Sequence, residues 1–406
     1  MKIEIPEELG EISQVFENPG SEKTIIVMPQ KAMDRYSHEK GIFRTLEYLA
    51  KTYGLKLAMP EGASGKLDVT WFKALPDAEK KADDSMKKGE ITGLEHLMIT
   101  TDYLIEAWGI ENTALYKKSA DLLKTAQPTI GYFLMVTDKI KGHILSLREK
   151  ASDPSLELDQ AIQSYNEGML KINDHFFYLE KKAISVGINL KIEYPDYFRV
   201  LESFKNPWGH VYQMQARALR EALSGMTGQS ELKRDDTEEE ILSPKKAISR
   251  LAFSEDETRL IRELRLRLCG NENQRTLANL FGNTELLTNL THMQGTPCQF
   301  LEFKQKRHEF SSEYFQNALS KYEVRLTEED IETLDTFVPI MERFYELAKQ
   351  RQIHDVNKAI EYMENTGNNL GVMLIMGFNT RGIMDVLEQK AIAYYVIMVN
   401  EVKSNE

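Results

Sequence analysis

The chain has 406 residues, 42% of them hydrophobic and 28% charged, and a formal net charge of -12. That length allows two or three domains around a large core, and the acidic balance speaks against a nucleic-acid binder, because backbone phosphates need a basic surface. Two cysteines, Cys269 and Cys298, are too few for a disulfide framework and read as reduced thiols. The opening MKIEIPEELGEI lacks the basic and apolar regions of a signal peptide, and no stretch has the length of a membrane span. The expected location is the cytoplasm.

In chain order, residues 24–28 (TIIVM) predict a short buried strand, and residues 29–37 are polar and irregular. Residues 38–53 place Ile42, Phe43, Leu46, Tyr48 and Leu49 at helical spacing, with Gly54 as the stop. Residues 55–59 read as the next strand, ended by Pro60, Glu61, Gly62 and Ala63. This is a βαβ unit. Short helices follow over residues 77–88 and 93–107. From about residue 112 to 349 the pattern is overwhelmingly helical, with long amphipathic segments at 116–148 and 156–186. Pro195, Pro207 and Gly209 interrupt it, and 211–223 resumes it.

Residues 225–244 are polar and acidic and read as an exposed loop. Helical patterning returns over 249–268, 277–290 and 297–322. Thr327 to Asp330 reads as a capping box that opens a helix toward Gln350, although Asp is a weaker last member than Glu. Residues 354–364 read as one more helix. Residues 370–376 (LGVMLIM) then form an unbroken apolar run, the pattern of a strand covered on both faces. Gly377 to Thr380 break the run, 382–389 show helical spacing, and 391–399 are a second apolar run. This is another βαβ unit, for which parallel pairing is the natural reading.

The expected fold class is therefore α/β. A mainly parallel sheet is formed from both chain ends, residues 1–111 and 350–406, with a large all-helical insertion over 112–349. Separate α/β lobes are less favoured, because neither end alone has enough strands for a stable sheet. In open α/β sheets ligands sit beyond the carboxyl ends of the strands, so Glu61 and residues 377–381 are expected at a pocket wall.

Four segments in order carry a resemblance. They are residues 24–63 (TIIVMPQKAMDRYSHEKGIFRTLEYLAKTYGLKLAMPEGA), KKGEITGLEHLMITTD followed by GIEN and Tyr116, FYELAKQR ending at Arg351, and LIMGFNTRGIMDVLEQKAIAYYVIM. Together they resemble an uncharacterised bacterial family with strand-end motifs Gln-Asp-Ala-His, Glu-Gly-Ala and Gly-Gly-Phe-His-Thr. More distantly, that family is similar to the superfamily of erythromycin esterases, haem-binding ChaN-like lipoproteins and Tiki/TraB proteases. The resemblance implies His and Glu side chains at strand ends, used for hydrolysis, metal binding or haem contact. This chain keeps Glu61, Gly93 and Glu95 but departs elsewhere. Lys31 stands at the motif's Asp, Met33 at its first His and Asn379 at its second. A thioether cannot take a proton near neutral pH and is a poor zinc ligand. An amide has no titratable proton, and Lys31 would repel a metal. The three changes together predict a pseudo-active site with no metal and no cofactor.

The pocket candidates are Lys31, Met33, Asp34, Glu61, Glu95, His96, Gly377, Asn379 and Arg381, and no catalytic residue is assigned. Each has a plainer reading beside the functional one. Glu61 is either a pocket carboxylate, paired with Lys31, or the cap of a turn. Asn379 and Arg381 suit a polar or anionic ligand, but a turn Asn and a solvated Arg give the same sequence. Gly377 serves backbone geometry more readily than phosphate binding. Asp34 and His38 lie near the first loop, and a lone His at a helix start is more often structural. His96 is a substitute base only if it faces the pocket. The aromatic turn at 206–210 reads as a packed helix corner before it reads as a partner-binding tip.

The leading expectation is a non-catalytic protein that binds a ligand or a protein partner. The first rival is a hydrolase rebuilt from Glu61, Glu95, His38, His96 and Lys31. The second is an assembly subunit acting through its helices. A homo-oligomer is left open.

Overall fold

A computed structural model describes residues 1–30, 35–205, 250–292, 295–376 and 380–402. The stretches 206–210, 211–223 and 225–244, and the candidates Lys31, Met33, Asp34, Gly377 and Asn379, lie outside the described residues. The protein is mixed α/β, with a seven-stranded, mostly parallel sheet built from both chain ends and many helices. The strands are β1 (Gly10–Phe16), β2 (Thr24–Gln30), β3 (Leu57–Pro60), β4 (Ser64–Lys66), β5 (Glu106–Ile110), β6 (Leu370–Met376) and β7 (Ala393–Val399). Their order across the sheet is β1-β7-β2-β6-β3-β5-β4. The pairings among β7, β2, β6, β3 and β5 are parallel, and β1 and β4 close the two sides as antiparallel edges.

The helices of the first half are α1 (Arg35–Tyr53), α2 (Thr70–Lys73), α3 (Ala78–Lys87), α4 (Gly93–Thr100), α5 (Thr113–Lys150), α6 (Leu156–Asn166), α7 (Ile172–Ser185), α8 (Leu190–Glu193) and α9 (Pro195–Lys205). Those of the second half are α10 (Arg250–Leu268), α11 (Glu272–Thr291), α12 (Pro297–Gln305), α13 (Ser312–Ser320), α14 (Glu328–Thr366) and α15 (Thr380–Gln389). Among the described residues, no helix is long and apolar enough to cross a membrane.

The chain divides into two compact units. The first is Met1–Phe133, Leu290–Phe300 and Asp335–Glu406, and the second is Leu134–Asn289 and Leu301–Leu334. The first holds the whole sheet. Its apolar runs are unbroken because both faces are covered. Ile26, Met28, Val372 and Leu374 pack with Ile42, Leu46 and Leu97 of α1 and α4 on one face. Ile25, Val27, Met373 and Ile375 pack with Val356, Ala359 and Ile383 of α14 and α15 on the other. Alternate side chains of a strand point to opposite faces, so a doubly covered strand needs an apolar residue at every position.

Local signals account for several boundaries. Gly54 ends α1 with a φ of +67°, which glycine adopts without steric cost. The Gly54 amide then donates to the Ala50 carbonyl at 3.1 Å, the single bond of an αL close. At the start of α14 both halves of the expected box are present. The Asp330 amide donates to Thr327 Oγ1 at 3.1 Å, and the Thr327 amide donates to Asp330 Oδ2 at 2.9 Å.

Three expectations change. The helix expected over 93–107 stops at Thr100, and Glu106–Ile110 is a strand beside β3. The helices expected before Gln350 and after His354 are one continuous helix, α14. The polar stretch GEISQVF, for which no strand was expected, pairs with β7 as an edge, with a register shift between Ile12 and Gln14.

Candidate functional site at the carboxyl edge of the sheet

The site begins where β3 and β5 end. Glu61 follows β3, and its amide donates to the Leu374 carbonyl of β6 at 2.8 Å. Glu111 follows β5, and its amide donates to the Ala63 carbonyl at 2.9 Å. Because β3 and β5 are parallel, the two carboxylates emerge on one edge. Helix α14 brings Arg351 and Asp355 to them from a single helix face, since residues four apart are neighbours there.

Arg351 grips Glu111 with a two-pronged contact, Nε to Oε1 at 3.1 Å and Nη2 to Oε2 at 2.6 Å. The same Nη2 reaches Glu61 Oε1 at 3.0 Å. The other Glu61 oxygen accepts the Met376 amide at the end of β6, at 2.8 Å. One guanidinium therefore ties the ends of β3 and β5 to α14, and Glu61 extends the tie to β6. The guanidinium also lies over the Tyr116 ring, 5.4 Å from its centre. Both glutamates are almost wholly buried, with side chains 3% and 4% exposed, and Arg351 is 14% exposed. Burial works against the charge of Arg351, but the bonds and charge of Glu111, then the charge of Glu61, outweigh it and raise its pKa.

Asp355 differs from its neighbours. It is 2% exposed, and its Oδ1 is buried without a hydrogen-bond partner. Burial, then the charges of Glu111 and Glu61, push its carboxyl up to about 8, with Arg351 pulling the other way. At neutral pH this carboxyl keeps its proton. Beside it in sequence, burial and then Lys358 lower the pKa of His354. The arrangement offers a clamped pair of carboxylates, one shared guanidinium and one neutral carboxyl. Among the described residues, no group of three or more His, Cys, Asp or Glu is placed to hold a metal ion.

The remaining candidates have other partners. Glu95 completes a capping box at the start of α4, accepting the Thr92 amide at 2.8 Å while its own amide donates to Thr92 Oγ1 at 3.2 Å. His96 is buried, with Nε2 2.7 Å from Asp83 Oδ1 and its ring edge-on to Phe43. Gly93 starts that helix so close to α1 that an added Cβ would lie 2.1 Å from the Glu39 carbonyl oxygen. Helix α4 packs on the face of the sheet opposite α14, so its side chains do not join the Arg351 cluster. His38 is buried near the start of α1. Arg381 forms an ion pair with Asp385 one turn along α15, at 3.1 Å.

Residue-by-residue reading of the sequence picked out Glu61 but passed over Glu111, Arg351 and Asp355. Glu111 lies in the GIEN segment, and Arg351 ends FYELAKQR. Both lie in segments that carry the family resemblance, with Tyr116 beside the first. Asp355 carried no signal, since one Asp in a charged helix is an ordinary surface residue. Compared with known protein families, with curated proteins and with solved structures, the chain matches none.

Proposed function

We propose that this chain is a non-catalytic binding protein derived from a hydrolase-like or metal- or haem-binding α/β fold. Its ligand or partner would be received at the carboxyl edge of the sheet. The observation that carries the reading is the state of Glu61, the carboxylate kept from the resembled motif. One oxygen is held by Arg351 and the other by the Met376 amide. A carboxylate held this way organises strand ends, and both of its oxygens are committed to N–H donors rather than to a metal. The motif positions held by Met33 and Asn379 also lack the proton-shuttling imidazoles that hydrolysis or zinc binding would use.

The test is metal and haem content of the purified full chain, together with a panel of ester and peptide substrates and a Glu61→Ala control. The expected result is no stoichiometric metal or haem and no turnover. Stoichiometric metal or haem lost on Glu61→Ala, or turnover lost with it, would overturn the reading.

One observation favours the rebuilt hydrolase as the second reading. Asp355 holds a carboxyl raised to about 8 beside Glu111 and Glu61, the kind of group that donates a proton at neutral pH. This reading expects turnover that falls as pH rises through about 8 and disappears in Asp355→Asn.

A further inference from the structure

We infer that the ligand received at this edge carries a primary ammonium group, and that Asp355 is the group that binds it. The inference rests on the binding reading above and adds a chemical class to it.

Four oxygens of the cluster are already engaged. Both oxygens of Glu111 accept from Arg351, and the two oxygens of Glu61 accept from Arg351 and the Met376 amide. Asp355 Oδ1 is buried beside them without a partner. A second buried oxygen without a partner, Thr380 Oγ1, opens α15. The first turn of α15 lies against α14, because an added Cβ on Gly382 would come 2.0 Å from Gln352 Oε1. Asp355 follows Gln352 by three residues and so shares its face of the helix.

Among the described residues, the charged groups that act on Asp355 are Glu111 after β5, Glu61 after β3 and Arg351 on its own helix. On α15, Arg381 is paired with Asp385. The start of α15 adds roughly half a positive charge, less than the net single negative charge that Glu111, Glu61 and Arg351 leave among the described residues. An added positive charge that also donates hydrogen bonds satisfies both the field and the unpartnered oxygen. An ammonium brings three donors on one small cation, and a carboxylate that accepts from it forms a charge-assisted bond. A quaternary ammonium has the charge without the donors, and a neutral ligand has at most the donors.

Binding then has a proton balance. The neutral Asp355 carboxyl gives its proton to solvent, and the resulting carboxylate accepts from the incoming ammonium, which keeps all three of its own protons. One proton leaves for each amine that docks. Arg351 is the most exposed member of the cluster, at 14%.

The experiment titrates the full chain at pH 7 with ethylammonium, using tetramethylammonium and sodium at equal ionic strength as controls. The carboxyl carbon of Asp355 is followed by NMR in protein labelled at aspartate, and calorimetry in buffers of different ionisation enthalpy counts protons released. The expected result is a saturable shift of Asp355 toward its ionised position with ethylammonium alone, with close to one proton released per amine. Asp355→Asn should weaken binding about tenfold or more, while circular dichroism shows the variant folded. Equal responses to ethylammonium and tetramethylammonium would overturn the inference, as would unchanged amine binding in folded Asp355→Asn. Saturable binding of a neutral or anionic compound at this edge, with no amine response, would overturn the amine assignment and leave the binding reading standing. Consumption of the amine would do the reverse.

Discussion

The two units each bury a network of charges, and the networks are built differently. In the second unit, Arg148 is wholly buried, with Nε 2.6 Å from Asp153 Oδ2 and Nη1 2.7 Å from Asp159 Oδ2. Arg265 bridges Asp159 at 2.6 Å and Glu285 at 2.7 Å, and Lys141 lies 3.6 Å from Glu285. Three cations thus meet three carboxylates. Both guanidiniums also stack on the Phe281 ring, 4.8 and 4.9 Å from its centre. At the sheet edge, Arg351 bonds Glu61 and Glu111 and acts on Asp355 by charge alone, one cation to three carboxyls among the described residues. A balanced buried network can be purely structural. Among the described residues, Asp355 has no hydrogen-bonded counter-charge and its carboxyl is raised to about 8, because an uncompensated buried charge is costly. The contrast separates a scaffold from a candidate site without appeal to any motif.

Four changes test how far that contrast holds. The largest effect is expected from Arg148→Met, which leaves Asp153 and Asp159 buried opposite an apolar chain. We expect a loss of about 4 kcal/mol in urea unfolding, and an unchanged midpoint would mean that this network is not a unit. Arg351→Met should cost about 3 kcal/mol near neutral pH. Its cost should shrink in acid, because protonated carboxyls no longer repel one another.

Asp355→Asn comes next, and its sign depends on pH. The Asp355 carboxyl rises from its ordinary 3.8 to about 8 in the fold. Between those values the native state binds the proton that the unfolded chain releases. This group's contribution to stability is therefore full below the lower value and falls until pH passes the higher one. Against wild type, Asp355→Asn should be near neutral in acid and gain stability progressively until pH passes about 8. Parallel melting curves across that range would remove the charge imbalance from the account. The smallest effect concerns Cys269, buried beside Asp153 and Ser155. Burial, then Asp153, push its thiol up to about 11. In native protein a thiol reagent should modify the exposed Cys298 first, with Cys269 following only on unfolding. Early modification of Cys269 would show that the balanced network is open to solvent.

The fold was legible where burial is symmetric. Strands covered on both faces, such as Leu370–Met376, declare themselves as unbroken apolar runs. Edge strands do not. Glu11 to Gln14 of β1 are only partly covered, and Glu106–Ile110 is five residues long, with its first two inside the helix expected over 93–107. At the site, Glu61 was legible because it ends a buried strand. Glu111 ends a strand that was not recognised, so it could not be placed at the same edge. Arg351 and Asp355 sit in a helix whose charged face looks like any solvated one. Only the packing of that helix on the sheet shows that its polar face is buried.

The order of the central strands has a consequence for how the molecule is made. β6 lies between β2 and β3, so Thr24 pairs with Leu370 and Ala58 with Val372. A nascent chain that has not yet reached residue 370 holds two apolar strands with the place between them unfilled. Such contacts, far apart in sequence, are slow to form, and the exposed edges of β2 and β3 invite pairing with other chains in the interval. The helices that follow β5 can fold during that wait, while the sheet edge carrying Glu61 and Glu111 is completed late. Ribosome-bound chains halted before β6 should therefore be protease-sensitive over residues 24–60 and should bind chaperones until β6 and β7 emerge.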